Sequence, residues 1–201
     1  MRRFAEQRVL AIDPANRGFG YAVLEGPQSL LDWGVTGTRT TTTGDLAQHA
    51  ETLIDTYEPD MIVVEDYGLN IARQRRRAQA FLRVLARHAA KRHLRVCAFA
   101  RATVRKSFAD ARARNKDQVA LLLATRYPAL LPWLPKVRKI WMPEEYRMNI
   151  FDAVALGVTF FGSRKPKPRA ANVGRAPAIT GQNKIPPWLK KNEHPTTSPR
   201  P

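Results

Sequence analysis

The first apolar run of the chain reads Val9-Leu10-Ala11-Ile12-Asp13-Pro14, four core-type residues that end at an aspartate. An ionised carboxylate at the tip of a buried strand is unfavourable unless a cation meets it. Glu65 ends a second such run, Met61-Ile62-Val63-Val64, and Asp152 stands near the start of an apolar stretch from Ile150 to Phe161. Three acids in this placement predict a divalent-metal site that meets a polyanion.

The charge of the chain is strongly positive. Lys and Arg total 34 against 17 Asp and Glu, which gives a formal net charge of +17 and a pI near 10.9. Such a balance predicts a nucleic-acid partner or an anionic membrane surface. The most apolar stretch, Ile150 to Phe161, argues against a membrane, because it is shorter than the ~20 residues needed to span and contains Asp152. Nucleic acid is therefore the predicted partner.

The length and cysteine content indicate one intracellular domain. A chain of 201 residues with 44% hydrophobic content is long enough for a single domain with a real core. The opening Met1-Arg2-Arg3-Phe4 has no apolar run before Glu6, so we expect no secretory signal and a cytoplasmic protein. Cys97 is the only cysteine, which excludes an intrachain disulfide and predicts a small buried apolar group.

The composition changes at Gly162-Ser163. Residues 163–201 hold nine Lys and Arg against one acid, Glu193, for a net charge of +8, and eight of the 15 prolines. Almost no periodic apolar pattern remains there. We therefore predict one folded domain over residues 1–162 and a disordered basic, Pro-rich tail over residues 163–201.

Periodicity in the first domain predicts an α/β fold. Strands are expected at 8–12, 18–24, 30–35, 61–65 and 94–100, and helices at 44–57, 72–92, 115–127 and from Pro143 onward. Asp45 suits the N-cap of the first helix. Three antiparallel strands followed by right-handed crossovers give a mixed five-stranded sheet with helices on both faces. In that sheet the first and fourth strands are central neighbours, so Asp13 and Glu65 should lie side by side.

The last helix carries the third acid. Glu145, Asn149 and Asp152 are spaced i, i+4, i+7 and so would share one helical face. If that face packs beside the ends of the first and fourth strands, Asp13, Glu65 and Asp152 converge. Mg²⁺ prefers such oxygen ligands, and two ions ~4 Å apart can stabilise both the attacking and the leaving oxygen of phosphodiester cleavage.

These residues resemble a known family. The opening motif, with Gly18 and Gly20-Tyr21-Ala22-Val23 after it, resembles that of the RuvC family of Holliday junction resolvases, within the RNase H-like superfamily. Ile62-Val63-Val64-Glu65 resembles the second motif of that family, and Asn149 to Leu156 resembles its last. The match in order and spacing runs from residue 8 to 161.

The resemblance implies a homodimeric endonuclease that depends on two Mg²⁺ ions, or on Mn²⁺ in their place, and nicks branched, four-way DNA junctions symmetrically. Asp13, Glu65 and Asp152 would be metal ligands. Asn149 stands where the family usually has a second aspartate, sometimes a histidine, and an amide cannot take a proton from the attacking water. Three alternatives follow for the missing general base. A metal-bound hydroxide suffices without one, or Glu145 or Asp66 acts as the base instead, or catalysis is weak.

Several residues are candidates for DNA contacts. Tyr67 resembles by position the family's wedge after the second acid and could stack on an unpaired base, although it could equally close the strand end. Lys116 resembles a basic residue that the family carries ahead of this helix, with an ordinary surface lysine as the alternative. Four arginines could grip phosphates or form a solvated helical turn: Arg73, Arg75, Arg76 and Arg77.

Two other functions fit the sequence less well. An RNase H-like nuclease that processes ribosomal RNA precursors would share this fold, and a non-catalytic junction or nucleic-acid binder would explain Asn149. A third class, the actin-like kinases, also begins with an aspartate after a strand. That class needs a duplicated second lobe, which about 160 structured residues cannot hold.

Overall fold

The computed structural model describes residues 6–15, 18–38, 40–66, 76–111, 113, 115–136 and 145–163. These residues form one mixed five-stranded sheet with helices on both faces, as the sequence predicted. The strands are β1 (Arg8–Pro14), β2 (Phe19–Glu25), β3 (Ser29–Thr36), β4 (Met61–Asp66) and β5 (Arg95–Ala100). Their order across the sheet is β3-β2-β1-β4-β5.

The strand β1 lies at the centre of the sheet. It pairs antiparallel with β2, where Asp13 opposes Gly20, and parallel with β4, where Ile12 lies beside Val64. The carboxyl ends of β1 and β4 therefore meet at the same edge. The predicted neighbourhood of the first and fourth strands is confirmed.

The apolar runs of β1 and β4 lack polar alternation because both faces of these strands are covered. Val9 and Ala11 of β1 and Met61 and Val63 of β4 belong to one core, whereas Leu10, Ile12, Ile62 and Val64 belong to a second core on the opposite face. Successive side chains of a strand point to opposite faces. Asp13 and Glu65 thus continue the row of the first core.

Within the described residues the α-helices are α1 (Thr43–Tyr57), α2 (Arg76–Lys91), α3 (Arg101–Ser107), α4 (Lys116–Arg126) and α5 (Met148–Ser163). Buried residues of α4 and α5 form the first core with the sheet, and those of α1 and α2 form the second. A short 3₁₀ helix, Pro128–Trp133, follows α4. None of the described helices is long and apolar enough to cross a membrane.

The helix starts differ from the predictions in detail. Thr42, not Asp45, is the N-cap of α1: its hydroxyl accepts from the Asp45 backbone N–H while the Asp45 carboxylate accepts from the Thr42 N–H. This reciprocal arrangement is a capping box, which satisfies two helix-end donors at once. Asn115 caps α4 with Gln118 in the same way. The part of the predicted second helix before Arg76 lies outside the described residues.

Two further expectations were wrong, and one helix was missed. The last helix begins at Met148 rather than at Pro143. Glu145 lies before it in a turn, in which the Glu145 carbonyl accepts a hydrogen bond from the Met148 N–H at 2.9 Å. The helix α3 was not predicted, because none of its residues is buried and it shows no apolar period. Cys97 is only half-buried, since its strand β5 lies at the edge of the sheet.

The first turn of α5 approaches β2 closely at Gly20. A Cβ added to this glycine would lie 2.1 Å from the backbone oxygen of Asn149, well inside van der Waals contact. Because Gly20 is also the cross-strand partner of Asp13, this close approach sets the height of α5 above the tip of β1. Glycine at this position is therefore a requirement of the site's geometry.

We expect Gly20→Ala to destabilise the protein by about 2 kcal/mol or more, because a backbone atom rather than a flexible side chain must move. Urea unfolding followed by circular dichroism measures the change. Gly162→Ala is the matched control: a Cβ there meets nothing within 4 Å, so stability should be unchanged or slightly higher. Equal stability of Gly20→Ala and the wild type would contradict the close approach.

Candidate active site

Three acids meet at one edge of the sheet. Asp13 and Glu65 each lie one residue before the end of their strands, β1 and β4, and only 5% of the Asp13 surface is exposed. Asp152 projects from the second turn of α5. The carboxyl groups of Asp13 and Glu65 share a hydrogen bond, and both feel the charge of Asp152. The structure thus brings together the three acids that the sequence singled out.

The acids disfavour one another's ionisation. Burial raises the pKa of Asp13 well above its usual range, and the negative charges of Asp152 and Glu65 add to the effect. Burial also raises the pKa of Glu65, and the positive charge of the Arg101 guanidinium partly offsets this rise. A carboxyl cluster held in this state binds protons or cations readily, because either one relieves the repulsion.

Lys116 is the nearest cation to Asp152. Its Nζ lies 2.6 Å from Asp152 Oδ2, at the point where α4 begins beside α5. Both side chains are partly exposed, so the pair faces the solvent rather than the core. The sequence proposed Lys116 as a DNA contact, and the structure places it against an acid of the cluster.

The cluster fits a hard divalent cation in its chemistry. Its candidate ligand atoms are carboxylate oxygens, which Mg²⁺ and Mn²⁺ favour. Zinc sites usually include histidine nitrogen or cysteine sulfur as well. Across the described residues, no three acidic, histidine or cysteine side chains are already arranged as a metal site. In this structure Asp152 Oδ2 accepts a hydrogen bond from the Lys116 ammonium instead. Asp13, Glu65 and Asp152 could hold an ion once Asp152 turns from Lys116.

Asn149 stands three residues before Asp152 and so on the same side of α5. It lines a small cavity of about 250 Å³, together with Ala15, Gly18 and Tyr146. The amide can accept or donate a hydrogen bond there but cannot act as a base.

Neither proposed substitute acid is well placed to replace it. Glu145 precedes α5, accepts a hydrogen bond from the Lys136 backbone at 3.3 Å and pairs with Arg147 at 3.3 Å. The expected i, i+4, i+7 face with Asn149 and Asp152 is therefore wrong for Glu145. Asp66 follows Glu65 in β4 and so points to the opposite face of the sheet.

The arginine-rich segment is only partly visible. Tyr67, Arg73 and Arg75 lie outside the described residues. Arg76 and Arg77 are exposed at the start of α2, and the Arg77 guanidinium donates to the Thr41 carbonyl at 3.0 Å. A DNA-binding role for these arginines stays a prediction.

Two cations at the site were missed by the sequence reading. Arg101 and Arg105 of α3 line a cavity that also reaches Glu65, Lys116 and Asp152. Arg101 directly follows β5, whose carboxyl end lies beside that of β4. The rule that the ends of parallel strands meet at one edge could have found it, but the helix that carries it has no apolar period to reveal it.

This sheet order, with acids at the ends of two central strands and on the last helix, defines the RNase H-like class of folds. A family model described as crossover junction endodeoxyribonuclease RuvC matches residues 9–160. A relative of the same description from Akkermansia muciniphila is 30% identical over 173 residues, which cover 79% of this chain and 93% of the relative. The chain belongs to the RuvC family.

Solved structures support the fold independently. Thermus thermophilus RuvC in complex with a Holliday junction substrate superposes with a TM-score of 0.59 at 18% identity, covering 79% of this chain and 95% of that one. A second structure of Thermus thermophilus RuvC gives a TM-score of 0.53 at 21% identity, covering 79% and 96%. The described domain therefore has the fold of those chains over most of their length.

The raised pKa of Asp13 makes a prediction about stability. The pKa of Asp13 is near 3.8 in the unfolded chain and well above that in the folded protein, so the folded state holds the proton more tightly. The free energy of unfolding should therefore fall as the pH rises from the unfolded-state pKa to the folded-state pKa. Asp13→Asn removes the charge and should stabilise the metal-free protein at neutral pH by roughly 1–3 kcal/mol, with no gain below pH 3.8.

Urea unfolding in chelator across the pH range measures this difference. Added Mg²⁺ should reverse it, because only the wild type would offer the ion all three carboxylates. Asp110→Asn, an exposed acid outside the cluster, should change stability by less than about 0.5 kcal/mol. An Asp13→Asn protein that is less stable than the wild type in chelator at neutral pH would show that Asp13 stabilises the fold.

Proposed function

We propose that this chain is a metal-dependent endonuclease that resolves four-way DNA junctions by paired symmetric nicks. The observation that carries the proposal is the convergence of Asp13, Glu65 and Asp152 at the edge of a RuvC-family fold, beside a basic cavity. A strongly positive chain brings such a cluster to nucleic acid.

The acids and their neighbours divide the chemistry. Asp13, Glu65 and Asp152 would hold two Mg²⁺ or Mn²⁺ ions, which would activate the attacking water and neutralise charge on the phosphate. The Lys116 Nζ now lies 2.6 Å from Asp152 Oδ2. If Asp152 turned toward the ions, the Lys116 ammonium would be available to the scissile phosphate. Asn149 can hold the attacking water by a hydrogen bond while the water's proton passes to solvent.

Paired nicks require two such sites. The described residues of one chain contain a single cluster of this kind, so two chains related by a twofold axis would match the near-twofold symmetry of a four-way junction. We therefore propose a homodimer. The cytoplasm remains the predicted compartment.

End-labelled four-way junction, duplex, single strand and RNA–DNA hybrid, each incubated with Mg²⁺, Mn²⁺ or chelator, test this function. We expect paired nicks in the junction with either ion and none with chelator. Asp13→Asn should lose cleavage but keep junction binding, because it removes a metal ligand and a charge that repels phosphate. Junction binding that persists in chelator, with no nick at any metal concentration, would instead show a non-catalytic junction binder.

The missing base at Asn149 sets a second expectation. Asn149→Asp should raise the cleavage rate by about tenfold or more, because a general base commonly contributes 10²–10⁴-fold. Asn149→Ala is the control that removes the amide without adding a base, and it should be slower than the wild type. A rate for Asn149→Asp at or below that of the wild type would mean that proton transfer does not limit cleavage.

The basic segment after α5 should contribute affinity without selectivity. We propose that residues 163–201, a tail with a net charge of +8, bind DNA phosphates of any shape. Deleting residues 163–201 should weaken binding to junction and duplex by similar factors and flatten its salt dependence. Fluorescence anisotropy across a salt series measures both, and a loss confined to the junction would show that the tail reads structure.

A further inference from the structure

A cavity of about 510 Å³ opens beside the acid cluster, between α3, α4 and α5. Its apolar walls come from all three helices and the segment between α3 and α4: Val104, Phe108, Ala113, Val119, Ala155 and Leu156. Arg101, Val104 and Arg105 of α3 and its C-cap residue Phe108 recur at i, i+3, i+4 and i+7, so one face of that helix lines the cavity.

The rim of the same cavity is charged. Arg101, Arg105 and Lys116 surround the opening, and Glu65 and Asp152 connect it to the acid cluster. Cations at the mouth and apolar side chains inside match the two halves of a nucleotide, which has an anionic phosphate and a base with apolar faces.

The dimensions suit a small ligand. A volume of about 510 Å³ lies in the range of pockets that enclose one small molecule, and one base with its sugar and phosphate is of that size class. We propose that this cavity receives one unpaired base of the strand being cut, next to the scissile phosphate. The inference rests on the proposed function for which phosphate is scissile, but binding of the base does not depend on cleavage.

This assignment gives the site a source of structure selectivity. Enzymes that draw a base out of the stack must supply the unpairing free energy, and that cost is lowest where bases are already unpaired or poorly stacked. The centre of a four-way junction offers such bases and an intact duplex does not. The apolar walls contact the faces of a base rather than its edges, and so favour any base that has left the stack.

Filling the cavity tests the inference. Val104 is a partly exposed residue of α3 that lines the cavity, and Val104→Trp would place an indole inside it. Val104→Phe, which fills less of the cavity, is the second variant in case the tryptophan prevents folding. Ala102→Trp puts the same ring on the exposed side of α3 as the matched control. Junctions carry 2-aminopurine at each position near the centre, a base whose fluorescence rises when it leaves the stack, and binding is measured in chelator and in Mg²⁺.

For the wild type and Ala102→Trp we expect a fluorescence rise at one position beside the cut. The cavity-filling variants should lose that rise, keep duplex binding, and cleave the junction about tenfold more slowly, the value of one lost stacking contact. A rise that persists unchanged in both variants overturns the inference, whether or not the wild type cleaves. If the wild type binds but never cleaves, the proposed function fails, while loss of the rise in the variants still supports the cavity.

Discussion

Asp13 has an acidic side chain with 5% of its surface exposed, at the tip of the central strand, with two further carboxyl groups beside it. Burial of a charge in such surroundings is unfavourable unless a cation or a proton compensates it. The fold does not avoid this situation but assembles it from distant parts of the chain. Two central strands each place an acid on the same face, and α5 brings the third across them.

The cluster is held together by apolar packing. The helix α5 is buried along nearly its whole length, and Gly20 allows its first turn to touch the backbone of β2. The core beneath this helix stabilises the domain enough to tolerate mutually repelling carboxyl groups at its edge. Such local destabilisation is common where function needs groups that a purely structural sequence would exclude. Lys116 partly compensates it through Asp152.

The sequence was sufficient for the sheet and for the three acids, for a physical reason. Continuous apolar runs such as those of β1 and β4 have few other structural solutions, and an acid at the end of each one is conspicuous. The predicted start of the last helix was wrong because Pro143 and Glu144 have the composition of a helix start. The chain instead makes a turn at Glu145, and α5 begins at Met148. Local signals of this kind do not report which turn the tertiary structure selects.

The charge pairing around the acids could not be predicted. Lys116 and Asp152 are 36 residues apart, and only the packing of α4 against α5 brings them together. Arg101 and Arg105 escaped notice because their helix has no buried face. The residues that a periodicity argument finds are those in the core, and the residues that adjust the electrostatics of the site lie outside it.

Diffraction from crystals of the full chain grown with Mn²⁺ tests the central claim most directly, because anomalous scattering locates the ion without assumptions. The account predicts a peak ligated by Asp13, Glu65 and Asp152, with the Lys116 ammonium moved from the 2.6 Å contact that it makes with Asp152. A well-diffracting crystal in which that contact persists, and in which the ion binds elsewhere or not at all, would contradict it.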